Sequence, residues 1–204
     1  MTLCMRTFPR LLVRTMSTVP SGQLPYSLAD IRIGKILSVR EHPDSYKMYI
    51  TQVSFGELGT KQICTGLRDH VSLSEMQDSL VVVLNNIKKC KLRGEASEAM
   101  MLCAEYSPKE LKPSVQLLRP ATPQLELCGA QVLAADSLGK EVASTSRRIK
   151  PAEWEELSSR LSVDKSGRVV FQSEGKELPL YVNDNSGSMN YIMASGMPAG
   201  SQVR

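Results

Sequence analysis

Between residues 29 and 105 apolar side chains recur at short, mostly two-residue intervals, the period of a strand with one buried face. Ile31, Ile33, Leu37 and Val39 hold that period, with a break at Lys35 beside Gly34, and predict a long first strand carrying a bulge. Tyr46 to Phe55 is β-rich with polar residues interleaved, Gly56 to Gly59 is a turn, and Gln62 to Thr65 is a short third strand. Ser72 and Glu75 make an S-x-x-E capping box, with Val71 and Met76 placed as its hydrophobic staple, so one short helix starts there. Leu80 to Leu84 predicts a buried strand rich in β-branched valine, and Ala99 to Ala104 another after the polar segment 85–98. Five strands with a short helix between the third and fourth is the element order of an OB-fold barrel.

Beyond Pro108 the punctuation changes. Pro113, Pro120 and Pro123 space short segments such as Val115 to Leu118. Pro151 opens a helix at its first turn, with Glu153, Glu155 and Glu156 near the positive end and Trp154, Leu157 and Leu161 on one face. Strands follow at Arg168 to Phe171 and Leu178 to Val182. The fold class expected is all-β with short helices: an OB-fold barrel over residues 30–106 and a smaller β-rich C-terminal unit over 107–204. The second unit is expected to pack on the first, because aromatics make up only 5% of the chain and neither half has enough for a large core of its own.

Charge sorts the chain into unequal parts. Residues 1–29 carry three arginines and no acid, residues 30–106 ten basic and ten acidic side chains, and residues 107–204 twelve and eleven. The net charge of +4 therefore sits mostly in the first fourteen residues, which excludes a globally basic nucleic-acid binder and requires any electrostatic site to be a local patch. On a helix Arg6, Arg10 and Arg14 fall on one face, opposite Met5, Phe8, Leu12 and Met16. Acid-free and rich in Ser and Thr, this leader has the pattern of a mitochondrial transit peptide, with Pro9 as an interruption. Translation begun at Met16 would discard its arginines and yield a cytoplasmic form. Ser17 to Pro25 reads as linker, so residues 1–29 are taken together as leader and linker. No apolar run approaches the roughly 18 to 20 residues needed to span a bilayer, and no membrane partner is expected.

Catalytic chemistry has little to work with. Only His42 and His70 are present, and His70 after Asp69, with Cys64 nearby in sequence, does not make a triad, because neighbours on an extended chain point apart. No GxxxxGK loop or strand-bound GxGxxG exists. Cys4, Cys64, Cys90, Cys103 and Cys128 are odd in number, without a CxxC pair, and read as free thiols rather than a metal site. Neither an enzyme nor a cofactor is expected. The strongest local charge is Lys88, Lys89, Lys91 and Arg93, broken by Cys90 and Leu92. An extended chain would put Lys89, Lys91 and Arg93 on one face, a comb able to track successive phosphates. The alternative is a solvated hairpin whose lysines discourage edge pairing, with Glu95 and Glu98 tempering the field. Arg147, Arg148 and Lys150 form a second small basic cluster, read as a solvated turn in preference to a binding site, and the sequence leaves open whether the C-terminal half touches RNA.

Several stretches, in order and at matching spacing, carry a family likeness: Ile33-Gly34-Lys35-Ile36, His42-Pro43-Asp44 with Tyr49, Thr65-Gly66-Leu67, Leu80 to Leu84, Asn86-Ile87-Lys88, and Lys91-Leu92-Arg93-Gly94 with Ser97, Met100 and Leu102. They resemble the tRNA-binding domain shared by endothelial-monocyte-activating polypeptide II, the yeast aminoacylation cofactors and domains appended to methionyl- and tyrosyl-tRNA synthetases. Residues 107–204 resemble the C-terminal half of the polypeptide II type, notably around Trp154 and at Asn185-Ser186-Gly187. The resemblance implies a non-catalytic protein that binds tRNA by shape and backbone and assists an aminoacyl-tRNA synthetase. It implies a monomer whose second half mimics a dimer interface. It also implies an RNA-binding face holding Asn86, Lys88, Lys91, Arg93, Ser97 and Met100, to which the comb read from alternation adds Lys89, with Ser97 bonding a phosphate or ribose hydroxyl and Met100 either packing on a base or lying in the core. The family's lysine-rich segment before the barrel has no counterpart in residues 17–29. Lys47 is an additional candidate contact, with plain surface solubility as its alternative role. The alternative role is a scaffold docked on a synthetase assembly with little RNA affinity of its own.

Overall fold

The computed structural model describes residues 24–108, 112–135, 147–184 and 187–204. The leader and Asn185-Ser186 lie outside the described residues. The first half contains β1 (Ile31–His42), β2 (Ser45–Ser54), β3 (Thr60–Thr65), α1 (Leu73–Met76), β4 (Leu80–Leu84), β5 (Cys90–Leu92), β6 (Glu95–Ser97), β7 (Met100–Met101) and β8 (Cys103–Tyr106). The second contains β9 (Ser114–Leu117), β10 (Arg119–Pro120), β11 (Leu133–Ala134), α2 (Pro151–Ser158), β12 (Leu161–Val163), β13 (Val169–Ser173), β14 (Lys176–Asn183), β15 (Met189–Met193) and β16 (Gln202–Val203). No helix among the described residues is long and apolar enough to cross a membrane.

The first sheet runs β3-β2-β1-β4-β7, all antiparallel. It nearly closes where the Glu98 amide donates to the Gln62 carbonyl (2.9 Å) and the Cys64 amide to the Ser97 hydroxyl (3.2 Å). Closure of the third strand on the last, with the fourth beside the first, is the OB arrangement expected from element order. The helix also falls where the capping pattern puts it. The Ser72 hydroxyl accepts from the Glu75 amide, and Val71 and Met76 are both buried in the barrel interior.

Two apolar cores, not one, hold the chain. The barrel interior gathers Ile36, Val53, Phe55, Ile63, Val81, Val83 and Met101. A second core joins Ile31, Ile33, Leu80, Val82 and Leu84 to Leu157, Phe171, Leu180, Val182 and Ile192 of the C-terminal half. Consecutive residues of β4 thus face opposite cores, which is why Leu80 to Leu84 is apolar without alternation. The halves also share a sheet, ordered β10-β15-β14-β13-β12-β16-β8-β9 with β11 on β14, so that β8 pairs with both β9 and β16. At the N-terminal edge, part of the expected linker is docked: the Leu24 amide donates to Glu156 and the Leu24 carbonyl accepts from Arg160.

The bulge in β1 lies later than the sequence suggests. Its register against β2 slips between Ile36 and Ser38, leaving Leu37 46% exposed while Ile36 is buried and Val39 packs on the same interior. The extra residue inverts the inside–outside parity of the strand. Gly34 has another function: a Cβ there would overlap the Val53 side chain and press on Phe55 at 3.2 Å, so the missing side chain permits close packing of β1 on β2. Helix α2 ends at Ser158, and Leu161, expected on it, is instead the first residue of β12, buried nonetheless.

Candidate nucleic-acid interface

The polar segment 85–98 folds into a two-stranded ribbon, with Cys90 opposite Ser97, Lys91 opposite Ala96 and Leu92 opposite Glu95. Its turn has Arg93 at φ 48° and Gly94 at φ 91°, positive at both central positions, the type I′ geometry that matches strand twist in two-residue hairpins. Lys88, Lys89, Lys91 and Arg93 are all exposed. Alternation along β5 gives Lys89 and Lys91 a common face, while Arg93 leaves the strand at the turn. Among the described residues, Lys88, Lys91 and Arg93 have no carboxylate partner. Lys89 donates to Glu98 at 2.8 Å.

The ribbon is braced from two strands, β1 and β3. Arg40 of β1 donates to Glu95 (3.0 Å). Gln62 of β3 donates to Glu95 (3.2 Å) and to the Ala96 carbonyl (2.9 Å), and its amide donates to Glu98 (3.1 Å). These partners hold both carboxyls below their ordinary values, Glu95 mainly through Arg40 and Glu98 mainly through Lys89. The two acids that temper the comb in sequence therefore act as its attachment points. His42, buried at the end of β1, accepts the Asp44 amide on Nδ1 (3.0 Å), which leaves Nε2 to donate to the Leu92 carbonyl at 3.4 Å. That contact sets the β1–β2 turn beside the ribbon. The turn carries Tyr46, 74% exposed, with the Lys47 ammonium 5.7 Å from its ring centre. In OB barrels the loops joining strands one and two and strands four and five flank the oligonucleotide-binding face. The β1–β2 turn and the ribbon occupy those two places.

Three of the residues assigned by resemblance have inward tasks. The Asn86 carboxamide, 8% exposed, accepts the Asp30 amide (3.0 Å) and donates to the carbonyls of Leu28 (2.9 Å) and Arg147 (3.0 Å). Ser97 is 2% exposed, its hydroxyl accepting from the Cys64 amide and donating to the Ala99 carbonyl at 3.1 Å. Met100 is half-buried against the core between the halves, opposite Leu84. A buried polar group must satisfy its hydrogen bonds locally, so Asn86 and Ser97 shape the surface on which the cations stand. Tyr46 escaped the sequence reading; its only signal was an aromatic beside a lysine just after His42-Pro43-Asp44.

Near the base of the ribbon the Lys61 ammonium bonds the Asn85 side chain (2.5 Å) and carbonyl (3.0 Å). Burial draws its pKa below the ordinary lysine value, opposed by Asp30 and Glu98 and reinforced by Arg32 and Arg148. Cys64, Cys90, Cys103 and Cys128 are free thiols, and burial pushes Cys103 up to about 12, out of nucleophilic range.

Residues 31–123 match the family model of a putative tRNA binding domain. The chain is 38% identical over 110 residues to the aminoacyl tRNA synthase complex-interacting multifunctional protein 1 of Cricetulus griseus, covering 52% of this chain and 29% of that protein. It is 33% identical over 170 residues to the cytoplasmic methionine–tRNA ligase of Caenorhabditis elegans, covering 83% of this chain and 16% of the ligase. The chain thus spans a third or less of the curated relatives it matches. Among solved structures, the C-terminal domain of Plasmodium vivax p43 superposes with a TM-score of 0.68 at 20% identity, over 87% of this chain and 98% of that one, a likeness of fold.

Proposed function

From the match of residues 31–123 to the model of a putative tRNA binding domain, we propose that the protein is a non-catalytic tRNA binder that assists an aminoacyl-tRNA synthetase. The observation that carries this reading is the row of exposed cations on a braced ribbon, Lys88, Lys91 and Arg93 having no acidic partner among the described residues. Unpaired cations on a rigid support meet phosphates without first breaking an ion pair, and each phosphate neutralised releases a counterion. Tyr46 offers a ring on which a base or ribose can rest. The protein acts as a monomer, in mitochondria when the leader is present and in the cytoplasm when translation starts at Met16. Mapping its N-termini in each cell fraction tests that division.

The balance of 22 basic and 21 acidic side chains over residues 30–204 favours a second reading, a docking module of a synthetase assembly. One experiment separates them: filter-binding titration of the full chain against total tRNA at several salt concentrations. A tRNA binder loses affinity steeply with salt, and the Lys88→Ala/Lys91→Ala/Arg93→Ala variant flattens the slope of log K against log salt by roughly 2 to 3. Absent or salt-insensitive binding leaves the docking role.

A further inference from the structure

The second basic cluster, Arg147, Arg148 and Lys150, does not stand alone as a surface turn. The Ile149 amide donates to the Asn86 carbonyl at 2.9 Å, and the Asn86 side chain donates to the Arg147 carbonyl at 3.0 Å. Ile149 itself is 3% exposed, locked into the core between the halves. These bonds hold the segment against residue 86, only two residues before Lys88. The segment is thereby fixed to the backbone from which the basic run of the ribbon begins. Burial, with a smaller contribution from Arg148, holds the pKa of Lys61, which is bonded to the neighbouring Asn85, below the ordinary lysine value.

Three of the acids nearby are already engaged. Glu153 receives Arg147 at 2.6 Å and the Lys150 amide at 2.9 Å, so it neutralises Arg147 while starting α2. Glu98 is occupied by Lys89, and Asp30 is buried, bonded to Arg32 at 2.8 Å. Arg148 and Lys150 are exposed and have no carboxylate partner among the described residues.

We propose that the RNA-binding surface crosses from the ribbon onto Arg148 and Lys150 of the C-terminal half, with Asn86 as the joint that keeps the two basic runs in register. The proposal rests on the tRNA-binding reading of the ribbon and extends it: one phosphate track is gripped by both halves, and the second half is part of the binding site. Asn86 is a positioning residue in this arrangement.

The test is a salt-dependent titration of total tRNA against four full-length proteins: wild type, Lys91→Ala/Arg93→Ala, Arg148→Ala/Lys150→Ala, and the charge-matched control Lys165→Ala/Lys176→Ala, whose lysines are exposed elsewhere on the C-terminal half. Circular dichroism and thermal midpoints confirm that all four fold alike. The expected result is a weakening of about tenfold in the Arg148/Lys150 variant with a salt slope flatter by about 1 to 2, and wild-type behaviour in the control. Wild-type affinity and slope in the Arg148/Lys150 variant, beside a weakened Lys91/Arg93 variant, overturn the extension and leave the ribbon as the binding site. Equal weakening in the control also overturns it, by assigning the effect to net charge. If wild type itself retains no tRNA, both the extension and the function it rests on fall.

Discussion

Replacing Asn86 by alanine separates a structural joint from a direct RNA contact. The carboxamide serves three backbone groups, the amide of Asp30 and the carbonyls of Leu28 and Arg147. Asp30 is 3% exposed, so its amide gains no water when the acceptor is removed. A buried donor left unsatisfied costs about 1 to 3 kcal/mol, and an intramolecular hydrogen bond contributes about 0.5 to 1.5 kcal/mol net. Arg147 is exposed and its carbonyl can rehydrate, which leaves the Asp30 amide and the Leu28 carbonyl to set the loss at about 2 to 4 kcal/mol. For a chain of this length each kcal/mol moves Tm by about 2 to 4 °C, so Asn86→Ala should melt roughly 5 to 15 °C below wild type. Asn86→Asp is the sharper variant. It keeps the acceptor for Asp30 but turns an ionised oxygen toward two carbonyls, so it should be less stable than Asn86→Ala at neutral pH. Protonation restores one donor, so that gap should narrow in acid. Thermal unfolding of the full chain followed by circular dichroism measures both variants. A wild-type Tm in Asn86→Ala, combined with weaker tRNA binding, would refute the joint and make the side chain an RNA contact.

Gly34→Ala should destabilise the barrel by about 1 to 3 kcal/mol, because the new methyl overlaps Val53 and presses on Phe55 in a filled interior; a urea midpoint equal to that of wild type would contradict this. Glu98 is ionised more readily in the fold than its ordinary value of 4.5 would allow. Its contribution is therefore fully present above that pH and is lost as pH falls through the lower folded value. Lys89→Ala removes the largest cause of that shift, so the decline in urea midpoint between neutral pH and pH 3 should be shallower in the variant; parallel declines would exclude the pair as a source of acid sensitivity. Ser97→Ala should lower Tm while leaving the salt slope of tRNA binding unchanged, since its hydroxyl is spent on Cys64 and Ala99; a flatter slope with unchanged Tm would return it to the RNA face.

Local order was legible along the chain wherever a short-range rule governs it. The capping box at Ser72 and Glu75, the Pro151 helix start and the period-two strands each depend on residues a few positions apart, and each forms where the pattern places it. The cations of the ribbon were visible because charge on an exposed hairpin needs no tertiary partner to be expressed. Other features had no local signal. An unbroken apolar run such as Leu80 to Leu84 marks burial but not the two different cores that its alternate residues face. The position of the β1 bulge was settled by pairing with β2, and the tasks of Asn86 and Ser97 by backbone groups dozens of residues away. Residue order determined the fold class, the charged ribbon and most of the barrel's elements, but not the split of the strand expected over 99–104 into β7 and β8 or the last strands of the C-terminal half. Only the folded chain decided which polar side chains are consumed in holding it together and which remain free for a ligand, because hydrogen-bond satisfaction in a buried site depends on long-range neighbours that no spacing rule encodes.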